Sequence, residues 1–421
     1  MMVTQIYVVC NYCRTKFRLR WQVTDHKARL LIRCPKCNTK IHGYLEVGTD
    51  KPLVVYNAKE TKDDSNVDYV QEISSELVTH KMKPAKEFTD LITPFIRSAD
   101  ADYTSCFQYL GFVEEYPNEA EVVQDLYSAN SSRFLKQKLL DEKNIYINVS
   151  KAQIKNYKLN SKVDLLMACH QYIMISLLCS GIDKNIANVM NAILDLSKSH
   201  TNQVKAFAKL LDNNGYYERL VSKFPELVGI FNKNYISLIA PLMISDIDSI
   251  DLVEFGLSSV DYEDLLELYR KSYEFIGEFI IYVVGLNNIS ERGDYNAFTT
   301  GNFDIENKVN QEDKYNRIQS FVKQGERFSL GYCDTLNKII RNSEAHFGVE
   351  YDVITQRINF VNQGKRKTET EELYLLEFAK ETIKVFELAV KLWEIAYQLQ
   401  KNRMVCDLKI DWNFGRPSFK K

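Results

Sequence analysis

No stretch of the 421-residue chain is apolar for long enough to read as a membrane crossing. The longest runs, Val163 to Cys179 and Phe275 to Leu286, stop short of the roughly 20 residues that a bilayer core requires, and the first carries His170 and Gln171. No signal peptide is read in the first residues given. Neither charge dominates: 54 Lys and Arg against 56 Asp and Glu leave a net charge of −2, which by itself argues for no nucleic-acid partner. With 45% hydrophobic and 26% charged residues, the chain is neither disordered nor fibrous. Its nine cysteines, without an export signal, point to metal or core roles rather than disulfides. The chain is therefore read as a cytoplasmic protein with no membrane contact, long enough for two or three domains.

The strongest signal lies in the first fifty residues. Cys10-x2-Cys13 and Cys34-Pro35-Lys36-Cys37 are separated by 20 residues, the spacing at which two cysteine knuckles close a tetrahedral zinc site. One structural Zn2+ per chain is expected on Cys10, Cys13, Cys34 and Cys37. His26 and His42 fall outside both knuckles and are not expected to be ligands. Alternating stretches, Gln5 to Val9, Arg14 to Trp21 and Ala28 to Arg33, predict short strands. A segment this small is expected to depend on the metal for stability, at roughly 10–16 kcal/mol for structural zinc. The two cysteine segments resemble, over about residues 7 to 47, the small zinc-ribbon domains at the N-termini of many bacterial proteins. Between Arg14 and Lys40 there are nine Lys or Arg against the single acid Asp25, interleaved with Phe17 and Trp21, with Tyr12 just ahead. That composition suits a nucleic-acid backbone with stacked bases; it equally suits a ribbon that docks on the rest of its own protein or on a partner.

Beyond the ribbon (1–50), residues 51–85 read as a polar linker, and helical spacing takes over after Pro84. Helices are expected near 86–98, 103–112, 118–142, 161–180, 184–198, 201–212, 215–223 and 232–244, making 86–257 a helical domain of unassigned role. His170 and Cys169 read as core residues within it. Over 258–402 a second helical bundle is expected: a long helix capped near 259–263, a polar loop over 287–311, a helix near 312–323, another over 327–347, and a closing helix from Thr370 to Lys401. The closing helix is apolar on more than one face, which points to a second copy of the chain as partner. Residues 403–421 form a tail. The fold class expected is mainly α, with one small β module at the N-terminus.

The chemistry is expected at the end of the 327–347 helix, in Arg341-Asn342-Ser343-Glu344-Ala345-His346. On a helix Asn342 and His346 share a face, and the long Arg341 side chain can bend toward them. A fixed cation, an amide and an imidazole within reach of one phosphate can cleave RNA without metal. In the other reading, His346 continues the apolar row Phe328, Tyr332, Leu336, Ile339 as a hydrogen-bonded core histidine.

The order of elements over about 258–402, with Arg341-Asn342 and His346 at the end of the third helix, resembles the HEPN superfamily of helical-bundle proteins. That resemblance implies a metal-independent endoribonuclease whose composite active site forms across a homodimer, with roles in bacterial toxin and anti-phage systems. It implies Arg341 on the phosphate, His346 in proton transfer and Asn342 orienting either. A non-catalytic adaptor that binds nucleic acid or protein through ribbon and bundle is the alternative.

Overall fold

The computed structural model describes residues 2–23, 27–46, 53–75, 77–88, 103–139, 159–182, 185–244, 247–314, 316–345, 348–363 and 368–412. The chain forms two compact units, each assembled from separate stretches. Unit 1 takes residues 1–101, 234–267 and 338–383; unit 2 takes 102–233, 268–337 and 384–421. This differs from the linear layout read from the sequence. The middle and C-terminal stretches each contribute to both units, because the chain passes from one to the other inside the helices Tyr216–Leu242, Tyr262–Phe279 and Leu375–Asn402.

In unit 1 the alternation of apolar and polar residues becomes strands: β1 (Met2–Cys10), β2 (Lys16–Val23), β3 (Lys27–Arg33), β4 (Lys40–Glu46), β5 (Leu53–Tyr56), β6 (Ala58–Thr61), β7 (Tyr69–Ile73), β8 (Thr79–His80) and β9 (Lys83–Pro84). A five-stranded sheet runs β6-β1-β2-β7-β9, with β2 and β7 parallel, and a three-stranded sheet runs β3-β4-β5. One apolar cluster draws on both: Ile6, Val8, Phe17, Leu19 and Trp21 from the first, Leu30, Ile32, Ile41, Leu45 and Leu53 from the second. The ribbon therefore has an apolar core of its own beside the cysteines, contrary to expectation. Part of that core comes from Leu53, Ala58, Ile73 and Met82, within the stretch read above as a linker. Its strands β5 and β6 are short and expose Tyr56, Lys59 and Glu60, so their composition reads as loop although their backbones are paired.

The remaining stretches complete unit 1. The strand Phe255–Gly256 pairs with β8, and a three-stranded antiparallel meander, Val349–Asp352, Arg357–Gln363 and Thr368–Tyr374, precedes the closing helix. The resemblance implies a loop in place of that meander. Ile358 and Phe360 are fully buried, and Phe360 packs on Phe378 with ring centroids 5.1 Å apart. The closing helix accordingly starts at Leu375 rather than Thr370.

Among its described residues, unit 2 is helical apart from one short hairpin, Ala297–Phe298 with Gly301–Asn302. Its helices are Tyr103–Glu115, Glu119–Ser128, Ser132–Leu139, Lys162–Cys179, Ile186–Ser199, Thr201–Asn213, Ile281–Arg292, Ile305–Asn310, Arg317–Phe321 and Tyr332–Thr335, together with parts of the three long ones. Helix Lys162–Cys179 begins with a capping box between Ser161 and Asp164. By length and composition it is the one helix among the described residues that fits a bilayer span, with mean hydropathy 1.3, but 61% of it is buried inside the protein. Two expected helices, 215–223 and 232–244, are one continuous helix, Tyr216–Leu242, which runs through Pro225 because Leu220, Phe224, Leu227, Phe231, Tyr235 and Leu238 form one buried row. The expected helix over 86–98 lies, from residue 89 on, outside the described residues, and Ala85–Glu87 is a single 3-10 turn.

The apolar surface of the closing helix is not spare: Leu376, Phe378, Ile383, Phe386, Val390, Trp393 and Tyr397 are all buried within the chain. His170 is a core residue, as expected. Its Nε2 lies 2.6 Å from Glu394 Oε2, and its ring stacks on Tyr397 at a centroid distance of 3.4 Å. Burial raises the Glu394 carboxyl, but His170 and a hydrogen bond from Gln398 outweigh it and hold it below its usual value of 4.5. A depressed carboxyl contributes stability that is complete above its unfolded value and fades as pH falls through the folded one. Glu394→Gln is therefore expected to lower unfolding free energy by about 1–3 kcal/mol at neutral pH. Denaturant titrations should show the difference from wild type shrinking below about pH 4.5.

Candidate functional site

The four cysteines converge. Cys10 ends β1 and Cys34 follows β3, and each opens a tight turn that carries Cys13 or Cys37. The turns are built alike. Cys10 N–H donates to Thr15 O at 2.9 Å and Arg14 N–H to Cys10 O at 3.2 Å; Cys34 N–H donates to Thr39 O at 3.0 Å and Asn38 N–H to Cys34 O at 2.8 Å. Arg14 and Asn38 are both left-handed, with φ of 67° and 56°. Thr15 and Thr39 hydroxyls lie 3.1 and 3.2 Å from Cys13 Sγ and Cys37 Sγ, where they donate once those sulfurs are thiolates. The repeat Cys-x2-Cys-x-Thr-Lys, at 10–16 and again at 34–40, is visible in the sequence and marks this second layer.

All four Sγ atoms lie within 4.8 Å of one another, with Cys13 to Cys34 at 3.3 Å and Cys10 to Cys37 at 3.7 Å. A tetrahedron with Zn–S of about 2.3 Å has edges of about 3.8 Å, so the set fits one tetrahedral ion. Burial pushes the Cys34 thiol up to about 12. At Cys13 burial acts the same way, but the Thr15 hydroxyl and backbone N–H outweigh it and bring the thiol down to about 6. Closing the set on a cation thus releases protons. His42 is exposed on β4 and lies outside the set, while His26 lies outside the described residues.

The ribbon's cations largely face its own protein. Arg20 pairs with the buried Glu72 at 3.2 Å, and Lys16 with Asp63 at 2.5 Å. Arg29 reaches Asp264 at 3.0 Å and Ser237 at 2.8 Å; Arg33 reaches Asp261 at 3.3 Å and Glu263 at 3.1 Å; Lys40 pairs with Asp261. Phe17 and Trp21 are buried, so neither offers a stacking face. Five of the nine basic residues and two of the three aromatics are thereby engaged in unit 1 itself, which is the docking alternative of the sequence reading.

The Arg341 motif sits on a shorter helix than expected. The chain is helical over Tyr332–Thr335 and again over Lys338–Ala345, not continuously from 327: Leu330 and Gly331 are left-handed at φ of 46° and 87°, and Leu336 is extended at φ of −88° and ψ of 100°. The eight-residue motif helix rests on the meander strand Arg357–Gln363. Gly348 N–H donates to Ser343 O at 2.8 Å and Gly348 O accepts from Val361 N–H at 2.6 Å. A Cβ at Gly348 would lie 2.1 Å from Val361 O, so only glycine lets the chain leave the helix this way. Arg341 and Asn342 are brought together, both half-buried, with Arg341 Nη1 donating to Asn342 Oδ1 at 2.9 Å. His346 lies outside the described residues.

Purified protein is expected to carry one equivalent of zinc, lost in Cys34→Ser. Thr15→Val and Thr39→Val should each weaken zinc affinity by about 10- to 100-fold, as read by chelator competition; wild-type retention in both would remove the hydroxyls from the site. No protein-family model, curated protein or solved structure matches the chain, so its chemistry is argued from its own residues.

Proposed function

We propose that the chain is an endoribonuclease whose chemistry needs no metal, acting through Arg341, Asn342 and His346. The observation that carries this reading is the Arg341–Asn342 hydrogen bond at 2.9 Å, in the middle of a short helix supported by a sheet. That bond orients a guanidinium that is always charged, and the half-buried setting limits the water around it. His346 follows the last residue of this helix and is the imidazole nearest in sequence. In the proposed reaction His346 moves a proton at the 2′-OH or the leaving 5′-oxygen, Arg341 neutralises charge on the phosphorane, and Asn342 holds Arg341 in register. A second copy of the chain brings a second set to the same phosphate, so the working enzyme is a homodimer. Such an activity fits an effector that arrests growth during phage infection or in a toxin system, inside the cytoplasm.

The Cys10, Cys13, Cys34 and Cys37 thiolates hold one structural Zn2+ in this proposal, a closed site with no position for substrate. The meander between motif helix and closing helix, where the resemblance implies a loop, favours the adaptor reading instead, and one assay separates the two. Wild type, Arg341→Ala and His346→Ala are incubated with total and transfer RNA in EDTA. Each variant should lose about 10²–10⁴-fold in rate, and the double variant little more than the worse single. Products should end in 2′,3′-cyclic phosphate and 5′-hydroxyl, with DNA left intact. A requirement for Mg2+, or 5′-phosphate ends, would rule the mechanism out, and no cleavage of any RNA would leave the adaptor.

A further inference from the structure

The inward pairing of the ribbon's cations leaves a small set of groups facing solvent near the two knuckles. Tyr12, in the first knuckle, is 68% exposed and Tyr56, at the end of β5, is 55% exposed. Asn11 N–H donates to Asn57 O at 3.0 Å, so each tyrosine is one residue from the same hydrogen bond, and their Cα atoms lie within about 12 Å. His42, opposite Tyr56 on β4, is exposed and stacks on it with ring centroids 5.1 Å apart at 22°. Three exposed cations lie on the same knuckles and the following strand: Arg14 and Lys36 in the knuckles and Lys59 on β6. None of the three has an ion pair among the described residues, in contrast to Lys16, Arg20, Arg29, Arg33 and Lys40. Glu60, the exposed acid next to Lys59, points to the other face of its strand by alternation.

We propose that this end of the ribbon binds single-stranded RNA, with Tyr12 and the His42–Tyr56 pair as stacking surfaces for bases and Arg14, Lys36 and Lys59 as contacts for the phosphates between them. Stacking on a ring face suits any base, whereas the rings of a duplex are already stacked and cannot reach it, so the ligand is single-stranded and weakly sequence-dependent. At the ~3.4 Å rise per nucleotide of a stacked strand, a span of about 12 Å is covered by roughly three steps between bases. The proposal rests on the ribonuclease reading, for which the platform supplies the hold on substrate.

The test keeps the two apart by using an oligonucleotide that cannot be cut. Full-length protein is titrated with a fluorescent 2′-O-methyl single strand, and anisotropy is followed. Tyr12→Ala and Tyr56→Ala should each weaken binding about tenfold, Tyr12→Trp should restore it, and all variants should keep one zinc. The slope of log affinity against log salt should be about −2, as three phosphate contacts give on a single strand, rather than the −6 or so that all nine basic residues would give. The same sequence as a duplex should bind more weakly and be indifferent to either tyrosine. Wild-type binding in Tyr12→Ala and Tyr56→Ala, a slope near −6, or no binding to any single strand would overturn the platform, whatever the cleavage assay returns. Loss of cleavage with binding intact would instead fall on Arg341 and His346.

Discussion

The carboxylate of Asp261 is the constraint on which unit 1 depends. Its side chain is buried, accepts from Glu263 N–H at 3.3 Å at the start of helix Tyr262–Phe279, and receives Arg33 and Lys40 from the two sides of the second knuckle. Burial raises this carboxyl, and Lys40 and Arg33 outweigh it and hold it below the usual range. A buried anion is tolerable only when cations and N–H groups surround it, so the helix cap, β3 and β4 hold one another in place. The same junction holds Ser259, whose hydroxyl donates to Arg29 O at 2.8 Å, and Ser258, which exchanges hydrogen bonds of 2.9 Å with the backbone of Ser74. A ribbon tied down this way is a wall of a larger unit rather than a bead on a string. That explains why its basic residues, so conspicuous in the sequence, leave only a small charged area for a ligand.

The four-cysteine cluster was legible because a spacing of two cysteines per turn is a local geometric requirement for a metal site, satisfied within a few residues of chain. The repeated Thr and Lys after each knuckle were equally visible, but their meaning depends on backbone bonds such as Cys10 to Thr15 that only the fold displays. What could not be read was anything decided by a distant partner. Lys59 and Glu60 look like linker because the other strand of the pair is β1, some fifty residues earlier. Ile358 and Phe360 alternate correctly for a strand, yet this stretch reads as a loop, and only the last strand, from Thr370, is taken into the closing helix that begins at Leu375. Leu330, Gly331 and Leu336 interrupt the expected helix through backbone conformation, which the apolar row Phe328, Tyr332, Leu336 conceals because all three are buried regardless.

The proposed catalytic set differs in kind from the metal centre. Arg341 and Asn342 are adjacent in sequence and joined by one hydrogen bond, so their proximity was secure from the start. What the fold adds is support: Ser343 is fully buried with its hydroxyl on Ile340 O at 2.7 Å, and the exit through Gly348 stitches the helix end to the meander. A guanidinium on a braced helix loses little freedom when it meets a phosphate, which is how such a group contributes to transition-state charge. The closing helix, by contrast, gives up its apolar faces to the chain itself, and the proposed second copy must find another surface.

The central claim is that an RNA 2′-hydroxyl, activated at this site without metal, is the attacking group. It is tested most directly by placing a single 2′-O-methyl group at the nucleotide 5′ to a mapped cleavage position in an otherwise natural RNA, and measuring cut ends by mass spectrometry in EDTA. The account predicts that cleavage disappears at that one position and persists at its neighbours. Cleavage that continues there at the unmodified rate would show that water, not the 2′-oxygen, attacks the phosphate, and the account would be wrong.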